Sequence, residues 1–237
     1  MVISDIPFPA GVRTHTAQDA TQQAQALAAA VAKALGQALE HQDNASLLVS
    51  GGRSPIAFFE ALSEYPLAWT RIQVGLVDER WVAPDQPGSN EALVRTHLLR
   101  HQATLAQFVG LYTPASHLEQ AADQASQNLL ALKRPVDVVV LGMGEDGHTA
   151  SLFPGNSALA QALAPDGSAL CLPMQAPVAP HPRLTLTYPV LSAAQHLFLA
   201  VQGMAKLETL NQALQLEPCQ MPIRAFLDQP LELYWCP

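Results

Sequence analysis

The sequence predicts an α/β chain, with a mostly parallel sheet covered by helices on both faces, in one domain spanning residues 1–237. Three observations carry this expectation. Short apolar, β-branched runs alternate with stretches of helical period along the whole chain. No Pro/Gly/Ser-rich linker divides them, and no repeat at a solenoid period occurs. The central run, Val136 to Leu141, is apolar almost throughout, as in a strand buried on both faces of a parallel sheet.

The elements follow in order. Gly11 to Thr16 reads as a short first strand. Ala17 to about His41 is rich in Ala and Gln, with Leu27, Val31, Leu35 and Leu39 at helical spacing, and predicts a long surface helix. Ala45 to Ser50 is a strand and Ile56 to Ser63 a helix, with Ser54 expected as N-cap and Pro55 at the first helical position. Ile72 to Val77 is a strand that ends in Asp78-Glu79-Arg80. Ser89 is expected to cap a helix from Glu91 to Arg100. Phe108 to Tyr112 reads as a short edge strand, and Ser116 or His117 opens a helix to about Leu132. Beyond the central strand, Pro154 to Gly167 reads as irregular. Ala169 to Met174, Leu184 to Thr187, Gln195 to Gln202 and Leu231 to Tyr234 read as strands, with helices from Met204 to about Leu214 and from Ile223 to Leu227.

Composition excludes several classes. At 49% hydrophobic and 14% charged residues over 237 positions, the chain can bury a real core. A formal charge of −8 disfavours nucleic acid and anionic membrane as partners. No apolar run approaches the roughly 20 residues of a membrane span. Three cysteines (Cys171, Cys219, Cys236) at unrelated spacings suggest neither a disulfide framework nor a zinc site. The first residues lack a basic n-region and a long apolar h-region, so no signal peptide and a cytoplasmic location are expected. A monomer or homodimer is expected.

Chemistry concentrates where strands end. After Leu141, Gly142, Gly144 and Gly147 bend the chain, and the polar cluster Glu145, Asp146 and His148 falls in that bend. In an open α/β sheet, ligands bind beyond the carboxyl ends of the strands. These glycines also spell Gly-x-Gly-x-x-Gly, the dinucleotide fingerprint. Glu145 and Asp146 would then place two negative charges at the pyrophosphate, and the nearest ribose-binding candidate, Asp166, lies in a Pro-Asp-Gly turn. Both features count against that reading. Ser50-Gly51-Gly52-Arg53-Ser54-Pro55, between a strand and a helix, instead suits a phosphate, because bare backbone and a helix N-terminus attract anions. Lys206, in the first turn of a helix, opposes the macrodipole unless a bound anion offsets it. Asp78, Arg80 and Arg183 complete the strand-end set.

The segments Ser-Gly-Gly-x-Ser-Pro, Asp-Glu-Arg followed by Ser-Asn, Gly-Met-Gly-x-Asp-Gly-His-Thr-Ala-Ser-Leu-Phe-Pro, Arg-Leu-Thr-Leu-Thr and Gly-x-x-Lys occur in this order over essentially the whole chain. In this the sequence resembles the 6-phosphogluconolactonases, which share a Rossmann-like fold with the glucosamine-6-phosphate deaminases. The resemblance implies hydrolysis of 6-phospho-D-glucono-1,5-lactone to 6-phosphogluconate, the second step of the pentose phosphate pathway, without metal or organic cofactor. It implies that His148 activates water and that Ser50, Gly51, Gly52, Ser54, Arg183 and Lys206 hold the phosphosugar, with Arg80 and Asp78 at the site. Asp146 is expected to orient the His148 ring, and Arg80 or backbone N–H groups to meet the oxyanion. Arg53 departs from the commoner Gly-Gly-Ser-Thr-Pro form. Phe153 stands where the sister deaminases resemble one another in a relay glutamate, so deaminase chemistry is the weaker alternative. A non-catalytic phosphosugar sensor is a third, and it would not need His148.

Overall fold

Burial on both faces explains the unbroken apolar runs. The computed structural model describes residues 2–177 and 181–237. Its strands are β1 (Val12–Thr16), β2 (Ala45–Val49), β3 (Ile72–Leu76), β4 (Asp78–Arg80), β5 (Gln107–Val109), β6 (Val138–Leu141), β7 (Cys171–Met174), β8 (Arg183–Leu186), β9 (His196–Gln202) and β10 (Leu231–Cys236). The helices are α1 (Ala20–His41), α2 (Ile56–Ser63), α3 (Asn90–His97), α4 (Leu118–Asn128), α5 (Leu159–Leu163), α6 (Tyr188–Ser192), α7 (Met204–Ala213) and α8 (Arg224–Leu227).

Seven strands form a parallel sheet in the order β1-β10-β9-β6-β2-β3-β5, with the helices around it. Every residue of β2 and β6 is buried. On α1 the apolar stripe Leu27, Val31 and Leu35 faces inward with Ala24, Ala28 and Ala32. Asp19 caps that helix by accepting from the Gln22 N–H at 2.8 Å. The one acid in the central run, Asp137, is fully buried and accepts from the Ser46 backbone N–H at 2.7 Å, which joins the amino ends of β2 and β6. No described helix is long and apolar enough to cross a membrane.

The structure corrects the sequence reading at three places. Asp78-Glu79-Arg80, read as the charged end of the Ile72–Val77 strand, forms a strand of its own, β4, in a second, antiparallel sheet ordered β4-β8-β7. Three charges in a row carry no strand signal, and pairing with β8 supplies one that local sequence does not contain. Ser54 does not cap α2: Pro55 occupies that position in helical conformation, without a side-chain cap. The Pro154 to Gly167 stretch contains α5, and a further short helix, α6, follows Thr187 with Pro189 in its first turn.

Strand order fixes where a ligand can sit. From β2 the chain runs outward to β3 and β5, and β6 returns on the other side of β2. The crevice beyond the carboxyl ends of β2 and β6 is therefore the topological switch point of the sheet.

Candidate active site

Two glycine loops meet at that switch point. Ser50 Oγ, just past β2, accepts from the Gly142 N–H at 3.0 Å, just past β6. Thr149 Oγ1 donates to Gly142 O at 2.8 Å, and Gly144 N–H donates to His148 O at 2.8 Å. The Gly142–Thr149 loop is thereby closed on itself. Gly147 turns it with a φ of 76°, which favours glycine. Gly144 is required by close approach: a Cβ there would lie 2.2 Å from His148 Nδ1 and Cε1.

That approach holds the histidine against its partner. His148 Nδ1 lies 2.6 Å from Asp146 Oδ1. The hydrogen bond from His148 holds the Asp146 carboxyl below its ordinary value, so Asp146 stays ionised and can only accept. Nδ1 therefore carries the proton, and Nε2 is the basic atom. Phe153, buried, packs on the ring with centroids 4.8 Å apart at 51°.

The second sheet supplies the opposite wall. Its register places Arg80 across from Arg183 and Asp78 across from Thr185. Asp78 is buried and accepts from Ser151 Oγ at 2.6 Å. Arg183 is 8% exposed, and its Nε is buried with no partner among the described residues. Burial, and then the like charge of Arg80, lower the Arg183 guanidinium from its ordinary value. Arg80 reaches the Gly88 carbonyl. Lys206 is half-buried in the first turn of α7, behind Gly203, whose φ is 90°.

All ten residues singled out in the sequence line one cavity of about 490 Å³, ringed by Ser50–Gly52, Ser54, Asp78, Arg80, Asp146, His148, Arg183 and Lys206. Arg53 is exposed and is not part of its lining. Among the described residues no cluster of three His, Cys, Asp or Glu side chains could hold a metal ion.

Several residues were given no role by the sequence reading. Glu79 is fully buried and receives the backbone N–H groups of Arg80, Asn90 and Glu91 and the Ser89 hydroxyl. It anchors the start of α3. Burial nevertheless raises its carboxyl to about 7. Asn90 donates from Nδ2 to Asp78 O at 2.9 Å and lines the cavity, as do Ser151, Gln23 and Gln202. Asn90 and Ser151 stand inside quoted motifs, which was a usable signal. Gln23 had none, being one of several glutamines on an Ala-rich helix.

Comparison with known proteins gives the family. The family model for glucosamine-6-phosphate isomerases/6-phosphogluconolactonase matches residues 18–235. A 6-phosphogluconolactonase of Pseudomonas aeruginosa is 55% identical, with 100% of both chains covered. One of Pseudomonas putida is 47% identical over 100% of this chain and 98% of its own. The crystal structure of a 6-phosphogluconolactonase from Shewanella baltica superposes with a TM-score of 0.93 at 38% identity, covering 97% of this chain and 100% of that one. This chain belongs to the glucosamine-6-phosphate isomerase/6-phosphogluconolactonase family.

Proposed function

We propose that this chain hydrolyses 6-phospho-D-glucono-1,5-lactone to 6-phospho-D-gluconate, the second oxidative step of the pentose phosphate pathway. The observation that carries the mechanism is the 2.6 Å contact between His148 Nδ1 and Asp146 Oδ1, at a cavity whose other wall holds Arg80 and Arg183. An ester carbonyl needs an activated water, and a general base must have its free lone pair toward that water.

His148 Nε2 takes a proton from water as the oxygen bonds to the lactone carbonyl carbon. Asp146 offsets the charge of the imidazolium that forms. Arg80 or loop N–H groups meet the developing oxyanion. Collapse of the tetrahedral intermediate breaks the bond to the ring oxygen, which leaves with the proton returned by His148. The phosphate is held by the Ser50–Ser54 loop, Arg183 and Lys206, where an anion offsets two cations that lack protein carboxylates in hydrogen-bond contact among the described residues. Asp78 takes a sugar hydroxyl through the carboxylate oxygen that Ser151 leaves unclaimed.

The deaminase reading requires a proton-carrying side chain at position 153, and Phe153 has none. One EDTA-treated sample decides between them. Acid release from fresh 6-phosphogluconolactone above its spontaneous opening, with no ammonia from glucosamine 6-phosphate, is the expected result. Ammonia release would overturn the lactonase reading, and neither product would favour a phosphosugar sensor.

A further inference from the structure

Two glutamines outside the machinery described above form a fixed pair at the junction of β9 and α7. Gln23, on α1, is 2% exposed, and its Nε2 donates to Val201 O and Tyr234 O, each at 2.8 Å. Both partners are carbonyls, which only accept, so the amide orientation is unambiguous. Gln23 Oε1 must then face the other way, where it accepts from Gln202 Nε2 at 2.9 Å and from the Cys236 thiol at 3.8 Å. Every hydrogen-bonding position of Gln23 is used.

This fixes Gln202 in turn. Facing an acceptor, it must present its nitrogen, which leaves Oε1 and the second Nε2 hydrogen unclaimed by the protein among the described residues. Gln202 is half-buried, lines the cavity, and precedes Lys206 by four residues at the same strand–helix junction. That junction is held on its other side, where Gly203 N–H donates to Cys236 O at 2.9 Å and Trp235 Nε1 donates to Gly203 O at 3.1 Å.

We infer that Gln202 is a specificity-determining residue that reads a hydroxyl of the sugar, and that Gln23 is its positioning residue. This inference rests on the proposed function. An acceptor and a donor side by side on one amide match a hydroxyl, which needs one of each. Lys206 places the phosphate of C6 at this end of the cavity. The C5 oxygen is closed into the lactone ring, so the first free hydroxyl from that end is the one on C4. Gln202 therefore discriminates configuration at C4, and not at C2.

The test compares kcat/KM for three freshly made 6-phospho-1,5-lactones: the glucono compound, its C4 epimer (galactono) and its C2 epimer (mannono). In Gln202→Leu, the wild-type preference for glucono over galactono is expected to fall about tenfold, the value of one lost neutral hydrogen bond, while the glucono/mannono ratio holds. Gln23→Leu is expected to reproduce the C4 effect mainly through KM, with kcat kept. A uniform loss across all three lactones in Gln23→Leu would show a merely structural role and overturn that assignment. An unchanged glucono/galactono ratio in a folded Gln202→Leu protein overturns the inference alone. A wild type inert on all three lactones overturns the hydrolase reading and this inference with it.

Discussion

Arg80 and Arg183 are direct cross-strand partners between β4 and β8, so two cations stand side by side on the cavity wall. Like charges in that position destabilise a ladder. The cost is offset when anionic groups sit against them, so the proposed roles, Arg183 on the phosphate and Arg80 at the oxyanion, come at the expense of the unliganded protein.

Arg183→Met should therefore separate binding from stability. Arg183 is 8% exposed with Nε unpartnered among the described residues, and an apolar side chain of similar length removes that penalty. KM for the phosphorylated lactone is expected to rise on the order of 10–100-fold. The melting temperature without ligand is expected to hold or increase, and the rise that inorganic phosphate gives the wild type should shrink. Steady-state kinetics and thermal melts with and without phosphate check both parts.

His148→Ala should lose on the order of 10²–10⁴ in kcat, the usual contribution of a general base. Binding of 6-phosphogluconate, followed by calorimetry, should persist. Asp146→Asn removes the charge that fixes the ring tautomer and should lower kcat about tenfold or more while leaving KM nearly unchanged. Wild-type turnover in His148→Ala would exclude the histidine as base.

Gly144→Ala tests the geometry without replacing a charged group. The added Cβ would lie 2.2 Å from the His148 ring, so the ring or the loop must move. A displacement of that size is expected to cost on the order of 10² in kcat. Phosphate binding should survive, because the Ser50–Ser54 loop is on a different strand end.

Glu79 sets a pH dependence of stability. Burial raises its carboxyl from 4.5 to about 7 in the folded protein. Between those values the native state holds a proton that the unfolded chain has released. Stability from this group is therefore greatest at low pH and falls as pH rises through that window. Denaturant titrations at pH 5 and 7.5 should show a decline in the wild type that is absent from Glu79→Gln.

Strand and helix placement was legible wherever the signal was local. The helix at Ile56–Ser63 was read with its carboxyl end correct, and Ser89 caps α3 as expected, accepting from the Ala92 N–H at 3.1 Å. Asp146 and His148 are two residues apart across Gly147, so their contact was also readable from spacing. The failures have different causes. β4 is a strand because of β8, and Ser54 is left uncapping because Pro55 takes the N-cap position in helical conformation.

The sequence by itself determined the α/β class, the order along the chain of the seven strands of the main sheet and the residues at the strand ends, because periodicity, glycine turns and caps act within a few positions. The tertiary structure alone decided that Ser50 touches Gly142, that Arg80 faces Arg183 and that Gln23 orients Gln202. Those relationships depend on strand order and register, which are set by how the apolar faces of distant segments pack together, and no local pattern of residues carries that information.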